Sequence, residues 1–599
     1  MIFGKYVNKY YLRYAFFFLL GIAMLVLVDM AQLKIPEVLG SLVDMFEGQT
    51  ITEVIKEQVF SMISTVLIVA AIMCVGRIIW RLSIFHAASH IEADIRHQMY
   101  LKAERLSQTF YHSTKVGNII NWFTTDIDTI KEFFGWGTIM MVDAFFMTAL
   151  TIYKMTTLSG ALTLVSFIPI ILIVVWGVFV ERHLSMKWRN RQAQNDKLYD
   201  FSQENFTGIR VIKAFVKETQ QLHAFAKVAR KNKDMNIDYV RLSVLFDVFI
   251  SVIVNSIIGL ILGFGAWFVY QTVVGQPIYI FGILVELSAG ELVQYVGYFD
   301  ILVWPMMALG QIFTMRSRAK GSLNRITAFL DQKEDIKSPE DGVNLQNCKG
   351  EIIFNNMSFA YPDGLMPSLE NINCTIKPGE TIGIVGKIGS GKTTLVNSLL
   401  RLYNLEPNSI LIDGIDIMKV NIPSLRDAIG YVPQDNFLFS DKISNNIAFA
   451  NANLSDEEIE NAAEFADVHD NIVGFKDGYE TISGERGVTL SGGQKQRISI
   501  ARAFVKDAPI MIMDDSVSAV DVKTEEKILK NIKEKRAGKT TIIVASRIST
   551  VQHLDKIMVL NDGKLEAFDC HEKLLKISKT YKTLAYLQQL EAEVSGGNK

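Results

Sequence analysis

The chain has 599 residues, of which 49% are apolar and 21% are charged. Its formal net charge of −2 gives no electrostatic case for binding nucleic acid. The four cysteines show neither metal-ligand nor disulfide spacing, which excludes a disulfide scaffold and fits a reducing cytosol. Long apolar blocks are concentrated before about residue 315, so the sequence predicts a membrane half followed by a soluble half.

The first half contains six segments apolar enough for membrane helices, since a spanning helix needs about 20 such residues. They are residues 15–36, 59–80, 137–158, 160–180, 244–270 and 291–313. The first segment follows a short basic stretch, as a signal peptide does, but it is too long and has no small-residue cleavage site. We interpret it as a retained membrane helix with an amphipathic lead-in.

Charge in the connecting loops predicts the orientation. Lys5, Lys9 and Arg13 precede the first span, and residues 181–243 are rich in Lys and Arg, whereas loop 37–58 is mostly acidic. The positive-inside rule then places both termini and both long polar stretches in the cytoplasm. These stretches keep helical periodicity, so we expect the membrane helices to continue into the cytosol. Turns at 116–123 and 207–215 are candidates to touch the soluble half.

Ionisable residues inside membrane spans are costly and often functional. The candidates here are Asp29, Asp143, Asp247 and Asp300. One interpretation is a cavity that favours cationic substrates, formed by Asp29, Asp300 and Trp304. The other is a set of structural or interfacial positions, which we prefer for Asp247 because it lies near a helix end.

The soluble half opens with a strand-like run that ends in a Gly-x-x-x-x-Gly-Lys-Thr loop and a helix. This order predicts a phosphate-binding loop, in which backbone N–H groups surround phosphate oxygens. Lys392 is expected to reach the β- and γ-phosphates of ATP, and Thr393 to bind Mg²⁺. The predicted nucleotide-binding residues of this loop are Gly386, Lys387, Ile388, Gly389, Ser390, Gly391, Lys392, Thr393 and Thr394.

Two further motifs follow. The apolar run 510–515 ends in two aspartates, of which Asp514 is expected to hold the Mg²⁺ shell. Before it lies a Ser-Gly-Gly turn that opens a helix and offers a second phosphate-binding device. Its residues are Leu490, Ser491, Gly492, Gly493 and Gln494. One chain cannot easily place both devices on the same phosphate, so the pair predicts a dimer.

These motifs, in this order, resemble the half-transporters of the ATP-binding cassette (ABC) exporter family over nearly the whole chain. The resemblance implies an all-α six-helix transmembrane domain of the type I exporter, or type IV, fold and an α/β P-loop nucleotide-binding domain. It places the transmembrane domain at residues 1–315, a linker at 316–349, the cassette at 350–590 and a tail at 591–599.

The resemblance also assigns roles to residues. Tyr361 is expected to stack on adenine, and Gln434 to sense Mg²⁺ beside Thr393 and Asp514. Segment 484–487 matches a loop before the signature, and 518–521, with Ser518 and Asp521, matches a loop at the dimer seam. Residues 207–215 resemble a second coupling helix.

Two positions depart from the family pattern. Asp515 stands where a glutamate polarises the attacking water, and Ser546 where a histidine contacts the γ-phosphate. A shorter carboxylate misplaces the base by roughly 1 Å, which can cost about 10²-fold in rate. We therefore expect the chain to bind ATP and Mg²⁺ but hydrolyse ATP weakly. The pattern favours the degenerate half of a heterodimer, whose partner carries the glutamate and histidine, over a slow homodimer.

The predicted function is ATP-driven export of a small amphipathic compound or drug across the cytoplasmic membrane of a bacterium. A dedicated lipid or peptide exporter is the alternative within the family. An ATP-binding regulatory subunit without transport is a third reading, which the complete helical domain and intact signature disfavour. The membrane spans exclude a soluble cassette ATPase acting on nucleic acid.

Overall fold

The structure is a computed structural model that describes residues 4–46, 53–276, 278–280, 283–362, 364, 366–484, 487–518 and 520–596. The chain divides into two compact units. The helical unit comprises residues 1–103 and 117–331, and the α/β unit comprises residues 104–116 and 332–599. The segment 104–116, just before the predicted contact turn at 116–123, thus belongs with the α/β unit.

Long α-helices make up most of the helical unit. They are Ala15–Gln32, Lys34–Phe46, Glu53–Arg105, Thr148–Leu158, Gly160–Thr207, Glu218–Val274 and Ala289–Leu330. Shorter α-helices are Asn8–Arg13, Val116–Asn121, Ile127–Glu132, Thr138–Val142 and Ile209–Ala214. Among the described residues, three π-helical turns interrupt the third predicted span and the helical stretch before it, at Trp122–Asp126, Phe133–Gly137 and Asp143–Met147.

Membrane-spanning length and composition recur along this unit. Among the residues that the structure describes, five stretches are long and apolar enough to cross a membrane: 15–46, 55–105, 116–158, 218–274 and 289–330. Five of the six predicted spans fall within them. The remaining one, 160–180, lies in the helix Gly160–Thr207, where the side chains of 168–182 are outside the described residues.

The lengths of the helices allow the predicted extensions beyond the membrane. Glu53–Arg105 has 53 residues and Glu218–Val274 has 57. At 1.5 Å per residue the shorter one is about 80 Å long, whereas the hydrocarbon core of a bilayer is about 30 Å thick. More than half of each helix therefore projects beyond the apolar layer.

Local sequence signals define where these helices begin and end. Ser159 caps Gly160–Thr207, because its side chain accepts a hydrogen bond from the backbone of Leu162 at 3.3 Å. Ser288 and Glu291 form a reciprocal capping box before Ala289–Leu330. Gly275, with φ of +73°, ends the helix Glu218–Val274 in the left-handed conformation that glycine allows.

The α/β unit contains two sheets. A two-stranded hairpin precedes them in the chain, in the helical unit, with β1 Ile278–Ile280 and β2 Ile283–Val285. The strands of the α/β unit are β3 Ile352–Phe359, β4 Leu369–Ile376, β5 Thr381–Gly386, β6 Ile410–Ile412, β7 Ile415–Asp416, β8 Ile429–Val432, β9 Ile510–Asp514, β10 Thr540–Val544, β11 Lys556–Asn561 and β12 Lys564–Asp569.

The larger sheet has the order β12-β11-β5-β10-β9-β8, and all its pairs are parallel except β11 with β12. The smaller sheet, β4-β3-β6-β7, is antiparallel. Strands β9 and β10 are buried along their entire length, as expected of a parallel sheet covered on both faces. The carboxyl ends of β5, β8, β9 and β10 therefore meet along one edge, where a ligand site is expected.

The helices of the α/β unit carry several of the motifs. They are Gln108–Ser113, Lys392–Leu399, Ile422–Asp427, Ile443–Ile447, Asp456–Phe465, His469–Val473, Gly492–Phe504, Val522–Lys535, Ile548–Val551, His571–Ile577 and Lys579–Gly596, with 3₁₀ turns at Ala448–Ala450 and Gly478–Glu480. The helix Ala289–Leu330 continues through residue 315, and Lys579–Gly596 extends into the predicted tail. The predicted boundaries at 315 and 590 stay predictions.

Candidate functional site

The phosphate-binding loop connects the central strand β5 to the helix Lys392–Leu399. Gly389 and Gly391 adopt φ of +82° and +95°, which side-chain-bearing residues rarely accept. A Cβ at Gly391 would also approach the carbonyl oxygen of Ser368 to 2.8 Å. Glycine at these places lets the backbone curl, so that N–H groups at the helix start are available for an anion.

Lys392 lies at the first position of this helix and folds back over the loop. Its Nζ donates hydrogen bonds to the carbonyl oxygens of Gly386 at 2.9 Å and Lys387 at 3.0 Å. Burial lowers the pKa of Lys392, while the nearby carboxylates of Asp515 and Asp514 act in the opposite direction. An anionic phosphate at this loop would offer the ammonium group a stronger partner than two neutral carbonyls.

Asp514 ends β9 at 1% exposure, beside the helix start. Its Oδ1 accepts a hydrogen bond from Thr393 Oγ1 at 3.4 Å, and burial raises its pKa. Within the described part of the chain, Asp514 Oδ2 and the buried Ser390 Oγ have no hydrogen-bond partner. Unpartnered buried oxygens next to a hydroxyl fit a hard divalent cation and phosphate oxygens, so these residues suit ATP with Mg²⁺.

Tyr361 sits next to the helix that follows the loop. Its hydroxyl lies 3.0 Å from Thr394 Oγ1, and its ring packs edge-on against Tyr403 at 5.3 Å between centroids. Tyr403 in turn lies 3.3 Å from Nδ1 of His112, in the 104–116 segment of this unit. The sequence did not point to Tyr403 or His112. Only the fold brings residues nearly 300 positions apart together, and no motif marks either one.

Gln434 is exposed two residues after β8, whose partner β9 carries Asp514. Because the two strands are parallel, Gln434 and Asp514 leave the sheet at the same edge. The predicted grouping of Gln434 with the phosphate loop is therefore compatible with the sheet order.

Asp515 and Ser546 come together between β9 and β10. Ser546 Oγ donates a hydrogen bond to Asp515 Oδ1 at 3.4 Å, and the Asp515 backbone N donates to the Val544 carbonyl at 3.0 Å. Asp515 has φ of +48°, a left-handed conformation that is uncommon outside glycine and tends to occur at functional sites. The two departures from the family pattern therefore face each other in one place.

The signature segment behaves as a helix start. Ser491 and Gln494 form a reciprocal capping box at the beginning of Gly492–Phe504, and a Cβ at Gly492 would meet nothing within 4 Å. Leu490, at 7% exposure, anchors the turn, so the two glycines leave backbone N–H groups open to an approaching ligand.

Gln496, one turn into this helix, is a further residue that the motif analysis missed. It is 2% exposed, and its Nε2 donates to the Asp515 carbonyl at 3.2 Å. Ser518 Oγ donates to the same carbonyl at 2.9 Å. The backbone of Asp515 is thus held by the signature helix and by the predicted seam loop. The sequence signal that could have identified Gln496 is its place two residues after Gln494, the last residue of the signature.

Asp521 caps the helix Val522–Lys535 by accepting a hydrogen bond from the Thr524 backbone at 3.1 Å. Ala519, within the predicted seam loop, and residues 485–486 of the predicted pre-signature loop lie outside the described residues. The structure thus assigns Asp521 a local capping role, and Gly493 stands inside the signature helix start.

In the helical unit, two membrane aspartates are buried. Asp143 is 8% exposed, and its Oδ2 accepts a hydrogen bond from Trp304 Nε1 at 3.0 Å. Asp29 is 6% exposed, on a helix that contacts the π-helical turn beginning at Asp143. Among the described residues, Asp29 Oδ2 and Asp143 Oδ1 have no hydrogen-bond partner. Asp300 is exposed one turn before Trp304, and Asp247 is also exposed.

A phosphate-binding loop, an acidic strand end and a signature helix on one chain with membrane-spanning helices define an ATP-driven membrane transporter. The sequence profile described as "ABC transporter" matches residues 369–518, and that of the "ABC transporter transmembrane region" matches 18–306. The chain belongs to the ABC transporter family, and it is an ATP-binding ATPase coupled to transport.

Several relatives resemble the chain closely. It is 32% identical to the probable multidrug resistance ABC transporter ATP-binding/permease protein YheI of Bacillus subtilis, over 99% of this chain and 98% of YheI. It is 34% identical to the multidrug resistance-like ATP-binding protein MdlA of Escherichia coli, over 96% and 94% of the two chains. It is 32% identical to the ATP-dependent lipid A-core flippase of Syntrophus aciditrophicus, over 84% and 81%.

The fold also matches a solved structure. A bacterial Atm1-family ABC exporter with ATP bound superposes with a TM-score of 0.78 at 23% identity, covering 97% of this chain and 99% of the other. This likeness confirms the predicted fold class, a helical transmembrane domain followed by an α/β nucleotide-binding domain.

Proposed function

We propose that the chain is the degenerate-site half of a heterodimeric multidrug-type ABC exporter. The observation that carries this proposal is the pair Asp515 and Ser546, in contact at 3.4 Å. Neither side chain has the length of the glutamate and histidine of the family pattern. One pocket thus loses its base and its γ-phosphate contact together, while the groups that bind ATP remain.

In this proposal, ATP is bound by Tyr361 and the phosphate loop, and Mg²⁺ is held by Thr393, Gln434 and Asp514. The cation would supply charge neutralisation of the phosphates, and Lys392 would orient the β- and γ-phosphates. The signature residues act on nucleotide held by the partner chain, with Ser518 and Asp521 at the seam. The intact signature is what allows this chain to complete an active site on its partner.

The transport cycle follows from this division of roles. Two ATP molecules hold the cassettes of the two chains together, and the membrane helices respond by opening the cavity outward. Hydrolysis at the partner's site then separates the cassettes, while the site of this chain keeps its nucleotide longer.

We propose a small amphipathic compound with a cationic group as the transported class. Within the described part of the membrane unit, Asp29 Oδ2 and Asp143 Oδ1 have no hydrogen-bond partner. A carboxylate inside a membrane is costly unless it binds a cation or a proton. Trp304 is 47% exposed and adds an aromatic face next to Asp143. Asp300 lies one turn before Trp304, on the same side of the helix Ala289–Leu330. The relatives named for multidrug resistance agree with this class.

A lipid is the second candidate substrate, because one relative is named a lipid A-core flippase. A lipid with an acidic headgroup would meet repulsion at the aspartates, whereas a cationic amphiphile would not. Transport assays in vesicles with each class distinguish the two.

We further propose that the protein resides in the cytoplasmic membrane of a bacterium, with both termini in the cytoplasm. The Lys- and Arg-rich stretches supply the support for this orientation, and the named relatives are bacterial. Cysteine labelling from each side of the membrane at Lys5 and at residue 276 tests it, since the two positions should react from opposite sides.

The test of the heterodimer pairs this chain with a bacterial half-transporter that carries the glutamate and the histidine of the family pattern. The two are co-expressed, purified through a tag on one of them, and assayed for ATP turnover. Replacing the catalytic glutamate of the partner by glutamine should abolish turnover, whereas Asp515→Asn in this chain should change it by less than about twofold. Loss of turnover through Asp515→Asn would refute the degenerate assignment.

A further inference from the structure

The last helix of the chain, Lys579–Gly596, contacts the loop that carries Ser546. Gln588 uses both ends of its side-chain amide for this contact. Its Oε1 accepts a hydrogen bond from the Ile548 backbone N at 2.7 Å, and its Nε2 donates one to the Ser546 carbonyl at 2.9 Å. These bonds bracket Arg547, so one side chain fixes residues 546–548, where the loop after β10 enters the helix Ile548–Val551.

The helix itself is firmly anchored at its start. Ser578 Oγ donates a hydrogen bond to Glu566 Oε1 at 2.7 Å and accepts one from the Tyr581 backbone N at 3.0 Å. Tyr581 is fully buried in a cluster that also contains Ala545 and Ile548, which flank the loop. Gln588 lies two turns after Tyr581 and therefore on the same side of the helix.

The loop that follows β10 depends on side-chain hydrogen bonds because it continues beyond the hydrogen-bonded part of the sheet. The Ala545 backbone N still donates to the Ile384 carbonyl at 3.0 Å, but Ser546 lies beyond the end of β10. The Ser546 side chain points to Asp515 at 3.4 Å, while its carbonyl accepts from Gln588. Gln588 therefore fixes the backbone from which the side chain at position 546 extends, and so helps to set the direction of that side chain.

We propose that Gln588 is a positioning residue for ATP hydrolysis: it holds the 546–548 backbone so that residue 546 is aimed at the nucleotide site. The inference rests on the proposed nucleotide site, and it adds the end of the chain to that site. Because Gln588 acts through the backbone, it should position residue 546 both when that residue is serine and when it is histidine.

A direct test is hydrogen exchange of the peptide covering 545–551 in the full-length chain in detergent, for Gln588→Ala. The matched control is Gln589→Ala, since Gln589 is the same residue type on the same helix, and its Nε2 donates a hydrogen bond to Glu593 Oε1 at 3.2 Å, within the helix itself. Loss of the bonds should speed exchange of this peptide about 2- to 10-fold in Gln588→Ala. The control should match the unchanged chain. Equal exchange in both variants would overturn the proposal.

A second measurement reports on positioning. In the Asp515→Glu/Ser546→His background, Gln588→Ala should lower kcat for ATP about tenfold while KM and the melting temperature stay the same. Faster loop exchange together with an unchanged kcat would overturn the positioning role. If that background hydrolyses no ATP at all, the proposed roles of positions 515 and 546 fail, and the exchange measurement alone decides whether Gln588 holds the loop.

Discussion

Placing the family's glutamate and histidine at positions 515 and 546 should convert the proposed weak ATP site into an active one. The change is Asp515→Glu with Ser546→His. Glutamate extends the carboxylate by one carbon–carbon bond, about 1.5 Å, from a strand end whose backbone is already held by Gln496 and Ser518. A base misplaced by about 1 Å costs on the order of 10²-fold, or about 2.7 kcal/mol of transition-state stabilisation.

The histidine supplies a second gain, because a missing donor to developing phosphate charge costs about 10²- to 10³-fold in comparable sites. Since both groups act on one reacting phosphate, the gains will not multiply. We expect a rise in ATP turnover of about 10²-fold for the double variant and smaller rises for each single change.

The assay is phosphate release from ATP by the purified full-length chain in lipid vesicles, at a concentration at which two copies associate, so that under our proposal the signature of each copy completes the site of the other. Adding Lys392→Ala to the double variant is the control, and it should return turnover to the starting level. A double variant that binds ATP and dimerises but turns over no faster would refute the reasoning that these two side chains limit hydrolysis.

Three further outcomes are expected. Tyr361→Ala should weaken ATP binding about 10-fold through lost stacking, measured with a fluorescent ATP analogue. Tyr361→Phe loses only the contact with Thr394, so its ATP affinity should stay within about twofold, and equal losses in the two variants would contradict the stacking role. Lys392→Ala should weaken ATP binding by about 10-fold or more in the same assay, and unchanged binding would contradict the phosphate role. Asp143→Asn keeps a hydrogen-bond acceptor for Trp304 but removes the negative charge. Uptake of a cationic dye into inverted vesicles should therefore fall about 10-fold while uptake of a neutral amphiphile stays unchanged, and equal effects on both would point to a structural role.

The sequence allowed the general architecture to be predicted because its signals are local. Apolar runs of about 20 residues, the glycine pattern at 386–391 and the capping serines each act within a few residues. The phosphate loop therefore follows its central strand as predicted, and Ser491 starts the signature helix.

Contacts between distant segments could not be predicted in the same way. The Trp304 indole meets Asp143 across 161 positions of sequence, and this depends on which helix faces pack together. The π-helical turn that starts at Asp143 has no proline or glycine to mark it. The left-handed backbone of Asp515 is likewise accompanied by hydrogen bonds to its carbonyl from Gln496 and Ser518, and only the folded sheet edge brings Gln496 near.

The central claim is that the ATP site of this chain binds nucleotide and hydrolyses it slowly. The most direct test measures, on the chain purified alone, both equilibrium binding of ATP with Mg²⁺ and steady-state turnover, beside the Lys392→Ala variant. Our account predicts clear ATP binding that Lys392→Ala weakens, with turnover close to that of the variant. Brisk turnover that Asp515→Asn abolishes would contradict it, since Asp515 would then be a competent base.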